Sequence, residues 1–214
     1  MNYQTYYLKR AVEEYVQMCF KDEKEHMKRH PPAVRVDHHN GCNYINGIKR
    51  PVTFPLYLRQ HIDSVPKDKS CDYFYRGFDT SCASKKWVLP YRSRGESPHV
   101  IESGYGRSDG KYRIDENYIR RMCAARFALC PTAWESHKTS WTYRFFEAIL
   151  CLALPVLRQG SKDQYQDDFH CLYDGEEHVY DERKALENYY KLVTSDHFLR
   201  RHMFQPPAEE GVVE

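Results

Sequence analysis

Four residues close together in the chain have the chemistry to hold a nucleotide: Ser140, Thr142, Arg144 and Glu147. The hydroxyls of Ser136, Thr139, Ser140 and Thr142 precede or open an amphipathic run, 142 to 152, that contains neither Gly nor Pro. Any of them can cap a helix there and leave its first N–H groups facing an anion, so a phosphate fits at that end. Arg144, one turn inside, offers a forked cation matched to phosphate oxygens, and Glu147, three residues on, shares its face. A carboxylate in that place can accept hydrogen bonds from vicinal hydroxyls such as those of a ribose. The short span therefore has grips for two parts of one ligand.

The elements that must position these side chains read as strand, loop, helix, strand. Phe127 to Cys130 is a short apolar run closed by Pro131, and Leu154 to Leu157 is a second one beyond the helix. Upstream, Cys71 to Tyr75 reads as a buried strand ending at Arg76-Gly77. Gly77 would let backbone approach a diphosphate, and Arg76, Lys85 or Lys86 would neutralise it, although adjacent lysines also suit a solvated face. A helix over 115 to 126 feeds Phe127, so strands and helices alternate, and parallel strands with right-handed crossovers follow. Weaker strands are expected at Trp87 to Tyr91 and His99 to Ser103. After residue 157 a strand is expected at 169 to 173, with helices at 182 to 193 and 196 to 204. The expected fold is α/β, a Rossmann-like parallel sheet flanked by helices.

Nearer the N-terminus, residues 4 to 29 read as one helix stopped by His30-Pro31-Pro32, and a polar linker is expected up to Ser70. Ala33 to Val36 reads as a strand running into Asp37-His38-His39. Those three are either polar turn residues or, at a sheet edge, the source of a general base, with Asp37 first because a carboxylate is ionised at neutral pH. The expected division is a first region 1–60, a ligand-binding domain 61–204, and a flexible tail 205–214 whose composition is that of a frayed end.

The 214 residues suffice for one main domain, and 41% of them are hydrophobic. With 32 basic and 30 acidic residues the net charge is +2, which gives no broad field for nucleic acid. No run of about 20 apolar residues occurs, so no transmembrane segment is expected, and the first residues are charged and amphipathic, unlike a signal peptide. The eight cysteines form no CxxC pair. A reducing, cytoplasmic setting and a soluble chain are expected.

At these same residues the chain resembles the exostosin-like glycosyltransferases, whose donor half carries a segment like FxLCPxG … SxRxFEAxxxGCxPV. Phe127, Leu129, Cys130 and Pro131 match it, then Arg144, Phe146, Glu147 and Ala148, then Pro155 and Val156, while Thr142 replaces the family's Ser and Leu152 and Leu154 replace Gly and Cys. The resemblance implies a GT-B-type donor domain with a shortened N-terminal part. Its donor-binding residues would be Arg76, Gly77, Lys85, Pro131, Ser140, Thr142, Tyr143, Arg144 and Glu147, with Asp37, His38 and His39 catalytic. It implies transfer of a sugar from a nucleoside-diphosphate sugar, by resemblance a UDP-sugar, to a hydroxyl of a glycan or glycoprotein acceptor, with inversion. A non-catalytic nucleotide-sugar or carbohydrate-binding module is the alternative. No Asp-x-Asp triplet occurs in the sequence, so no metal is expected, and a zinc set drawn from His38, His39, Cys42, His170 and Cys171 fits none of the usual spacings.

Overall fold

In the computed structural model the described residues are 3–37, 40–77, 87–91, 100–102, 115–131, 143–159 and 168–200. The stretch expected as one helix over 4 to 29 is two, α1 (Tyr3–Met18) and α2 (Lys21–Arg29). The break has a local cause. The buried stripe of α1 ends at Cys19, and the Glu23 carboxylate accepts a hydrogen bond from the Phe20 N–H (2.8 Å), which starts a second, wholly unburied helix.

Three short strands follow, β1 (Val34–Asp37), β2 (Cys42–Ile45) and β3 (Ile48–Pro51), paired antiparallel in that order. Asn46 and Gly47 join the last two with φ of 51° and 79°, the left-handed pair that a two-residue hairpin requires. Leu8, Ala11 and Val12 of α1 pack on Ile45 of this sheet. A helix, α3 (Leu56–Asp63), then occupies the first part of the expected linker. Glu14 of α1 accepts hydrogen bonds from the Leu56 and Tyr57 N–H groups (2.5 and 3.1 Å), satisfying the donors that open α3, while Leu58 and Ile62 go into the core.

The main sheet is parallel throughout. Its strands are β4 (Cys71–Arg76), β5 (Val100–Glu102), β6 (Ala125–Leu129), β7 (Leu154–Leu157) and β8 (Leu172–Tyr173), and their spatial order is β5-β4-β6-β7-β8. The near-continuous apolar runs of β6 and β7 are what a sheet covered on both faces demands. Helix α4 (Glu116–Ala124) leads into β6, and α5 (Tyr143–Leu150) joins β6 to β7. Ile119 and Met122 of α4 and Phe146 and Ile149 of α5 cluster with Phe74 and Ala128, and the alternate residues Tyr73, Tyr75, Phe127 and Leu129 pack with Val88 and Tyr91 on the other side. Residues 87–91, expected as a strand, form a 3₁₀ turn instead: Pro90 has no N–H to give a ladder, and Val88 and Tyr91 serve as a cover for the sheet. The strand expected over 169 to 173 shrinks to β8. Tyr7, Val52, Phe54, Leu58 and Ile62 share the larger buried cluster with the parallel sheet, so residues before 61 help build its core. Among the described residues no helix is long and apolar enough to cross a membrane.

Helix α6 (Glu182–Thr194) is the last described helix. Residues 196–200, expected to start a further helix, form a turn and an isolated bridge against the Val52–Phe54 segment instead. The Phe54 N–H donates to the His197 carbonyl (2.8 Å), His197 Nδ1–H donates to the Val52 carbonyl (2.6 Å), and Phe54 and Phe198 form a parallel bridge. Burial pushes the His197 pKa below its usual value near 6.5. The unfolded chain therefore takes up a proton that the folded one refuses, and stability is lost as pH falls from about 6.5 downward, by up to about 1.4 kcal/mol per pH unit. Urea midpoints at pH 7.5 and 5.5 should show this loss in the parent and less of it in His197→Gln; equal slopes in the two would place the titrating group elsewhere.

Candidate functional site

The chain leaves β4 for β5 on one side and returns through α4 to β6 on the other, so its winding reverses between β4 and β6. Open α/β sheets bind ligands in the crevice outside the carboxyl ends of the strands at such a reversal. Arg76 and Gly77 end β4 there, Cys130 and a buried Pro131 follow β6, and Tyr143 and Arg144 open α5. These positions, apart from Cys130, all belong to the set that the sequence proposes for donor binding.

Arg144 is only 8% exposed. Its guanidinium lies 4.7 Å over the Tyr75 ring and Nη2 donates to the Arg76 carbonyl (2.8 Å), so the fork is held rigidly at the end of β4. Gly77 is fitted against the same pair. A Cβ there would stand 2.7 Å from the Tyr75 hydroxyl and 3.1 Å from Arg144 Nη2, and fully buried Tyr75 has no room to withdraw. Packing alone thus requires glycine, and the bare backbone is also what a close-lying ligand needs. Arg76 pairs with Asp115 Oδ2, while Asp115 Oδ1 caps α4 by accepting from the Tyr118 N–H (3.2 Å).

Glu147 lies deeper than a helix face shared with Arg144 suggests. It is fully buried; Oε1 accepts from the Tyr7 hydroxyl of α1 and Oε2 from the Tyr118 hydroxyl of α4, both at 3.0 Å. Its carboxylate ties three helices together, and a ribose would have to displace one of those tyrosines to reach it. Tyr143 packs its ring on Phe54 and Tyr7, and its hydroxyl lies 3.4 Å from the Asn43 amide of β2. Turned over, that amide accepts from the Thr53 N–H at 2.8 Å. The antiparallel sheet therefore meets the first turn of α5.

Asp37 ends β1 in that antiparallel sheet, not in the parallel one. Its oxygens accept from the Asn40 N–H (3.1 Å) and side-chain amide (3.0 Å), with Arg35 3.6 Å away, so the carboxylate is bound by the turn that follows it. His38, His39, Lys85, Lys86, Ser140 and Thr142 lie outside the described residues, as does the tail from 205.

Asp115, Tyr7 and Tyr118 are the site neighbours that sequence reading misses; the N-cap position of Asp115 before the α4 pattern is the one signal among them. Gly106-Arg107-Ser108-Asp109-Gly110 also has the spacing of a nucleophile elbow. It lies outside the described residues. The sequence matches no family model and no curated protein.

Proposed function

We propose that the crevice between the carboxyl ends of β4 and β6 binds a nucleoside-diphosphate sugar, and that the protein is an exostosin-like, metal-independent glycosyltransferase passing the sugar to a hydroxyl of a glycan acceptor. One observation carries the reading: the reversal of the sheet brings together Gly77 and Arg144, residues 67 positions apart that the sequence nominates independently for the phosphates. Rigid Arg144 and the bare backbone at Gly77 offer charge and approach to a diphosphate leaving group. Asp37, on the sheet that touches Tyr143 through Asn43, is the described candidate for the acceptor's base.

Calorimetry with UDP and UDP-sugars, with and without EDTA, tests this. Binding is expected in both conditions, and Arg144→Gln should weaken it about tenfold or more, the worth of a charge-assisted hydrogen bond. Absence of nucleotide binding in the parent protein would remove the site, and binding abolished by EDTA would remove metal independence. A second reading, a nucleotide-sugar-binding module without catalysis, is favoured by the turn-bound carboxylate of Asp37. UDP release from a UDP-sugar in the presence of glycan acceptors separates the two.

A further inference from the structure

We infer that the Arg76–Asp115 pair is an exchangeable latch on this crevice: an anionic ligand seated against Gly77 takes the place of Asp115 on the Arg76 guanidinium, and Asp115 thereby sets how tightly the site holds a diphosphate. This rests on the proposed nucleotide reading and adds to it the residue that regulates binding.

Among the described residues two half-buried arginine–aspartate pairs lie on the parallel sheet, and their places differ. Asp72 and Arg126 are neighbours across the first residues of β4 and β6, where they clamp strand to strand at the amino edge, away from any ligand crevice. Arg76 and Asp115 stand at the carboxyl edge, beside the glycine and the second arginine of the reversal point, and they join a strand end to a helix cap. Their side chains are 26% and 16% exposed, so solvent and solutes reach both. Arg144 is fixed by the Tyr75 ring and the Arg76 carbonyl, whereas the Arg76 guanidinium is held by the Asp115 carboxylate at a place that solutes reach.

Release of Asp115 leaves its other role intact. Oδ1 still accepts from the Tyr118 N–H, so α4 keeps its cap when Oδ2 gives up Arg76. The Asp115 carboxylate lies against the Arg76 guanidinium, and its charge opposes a diphosphate there until the pair opens. Asp115 thus acts as an internal competitor.

The test is calorimetry on the full chain with UDP and with inorganic pyrophosphate, using the parent, Asp115→Asn, Arg76→Gln and the double variant. Asparagine caps a helix as well as aspartate does but lacks the competing charge. Asp115→Asn is expected to bind both probes about three- to tenfold more tightly, a gain sized on a partly exposed ion pair. The gain should vanish in the Arg76→Gln background. Should Asp115→Asn fold poorly by thermal melting, Asp115→Ser, which also caps, replaces it. Affinity that is unchanged or weaker in Asp115→Asn, or a gain that persists without Arg76, overturns the latch while nucleotide binding by the parent stands. Pyrophosphate held more tightly by the variant, with no binding of UDP by any of the proteins, keeps the latch and removes the nucleotide reading. No binding of either probe by the parent or Asp115→Asn removes both.

Discussion

Glu147→Ala is expected to lower stability by about 2 to 6 kcal/mol, because two buried tyrosine hydroxyls lose their acceptor and each unpaired buried group costs about 1 to 3 kcal/mol. At about 2 to 4 °C per kcal/mol for a chain of this size, the melting temperature should fall by roughly 10 °C. The cause is the placement of the carboxylate between Tyr7 and Tyr118, at 3.0 Å from each. Tyr7→Phe and Tyr118→Phe should each show a smaller loss, since one hydrogen bond goes and the carboxylate keeps its other partner. The three substitutions share one network, so their effects should not add, and a double-mutant cycle between Glu147 and either tyrosine should show coupling. Glu147→Gln should be milder than Glu147→Ala, because an amide fills the volume and tyrosine hydroxyls can turn to accept. If Glu147→Ala melts with the parent and instead loses UDP binding, the carboxylate serves the crevice as a ribose acceptor and the buried staple is wrong.

Lys69→Met should cost about 3 to 5 kcal/mol, read as a shift in urea midpoint at constant slope. Lys69 sits at φ 54°, and its ammonium donates to the carbonyls of Cys123, Ala125 and Cys151 at 2.9, 2.9 and 2.8 Å. Cys123 belongs to the last turn of α4, Ala125 starts β6 and Cys151 follows α5, so one side chain satisfies acceptors that these helix ends cannot satisfy internally. Methionine matches the length and offers no donor. Burial pulls the Lys69 pKa down to about 8 from 10.5, so above pH 8 the unfolded chain binds a proton that the folded chain has released. Parental stability should therefore rise from about pH 8 until tyrosines ionise near 10, and Lys69→Met should lack that rise. A loss below about 1 kcal/mol at pH 7 would mean that water replaces the ammonium and that the three carbonyls do not depend on it.

The central elements were legible in the amino-acid sequence because their signals are local. The strand at Leu154–Leu157 is found residue for residue, β4 and β6 differ from their expected bounds by at most two residues at either end, and α4, α5 and α6 follow from apolar spacing. Alternation of those elements also implied a parallel sheet. The hairpin at Asn46-Gly47 carries its own turn signal, which the expected elements do not include.

Local signals thus specify this set of elements and single out Gly77 and Arg144. What the neighbours of those residues do depends on how the elements close on one another. Glu147 meets Tyr7 across 140 positions, Lys69 meets Cys151 across 82, and Arg76 meets Asp115 across 39. No periodicity in a single stretch encodes such pairs, since each arises when separately specified helices and strands close on one core. The same holds for residues 196–200, where the His197 carbonyl accepts from the Phe54 N–H and the His197 ring meets the Val52 carbonyl, so the chain did not continue as a helix. A carboxylate that reads as surface on its own helix becomes core when two other helices cover it, because burial is a property of the assembled layers and hydrogen-bond partners must then be supplied from wherever the chain has brought them.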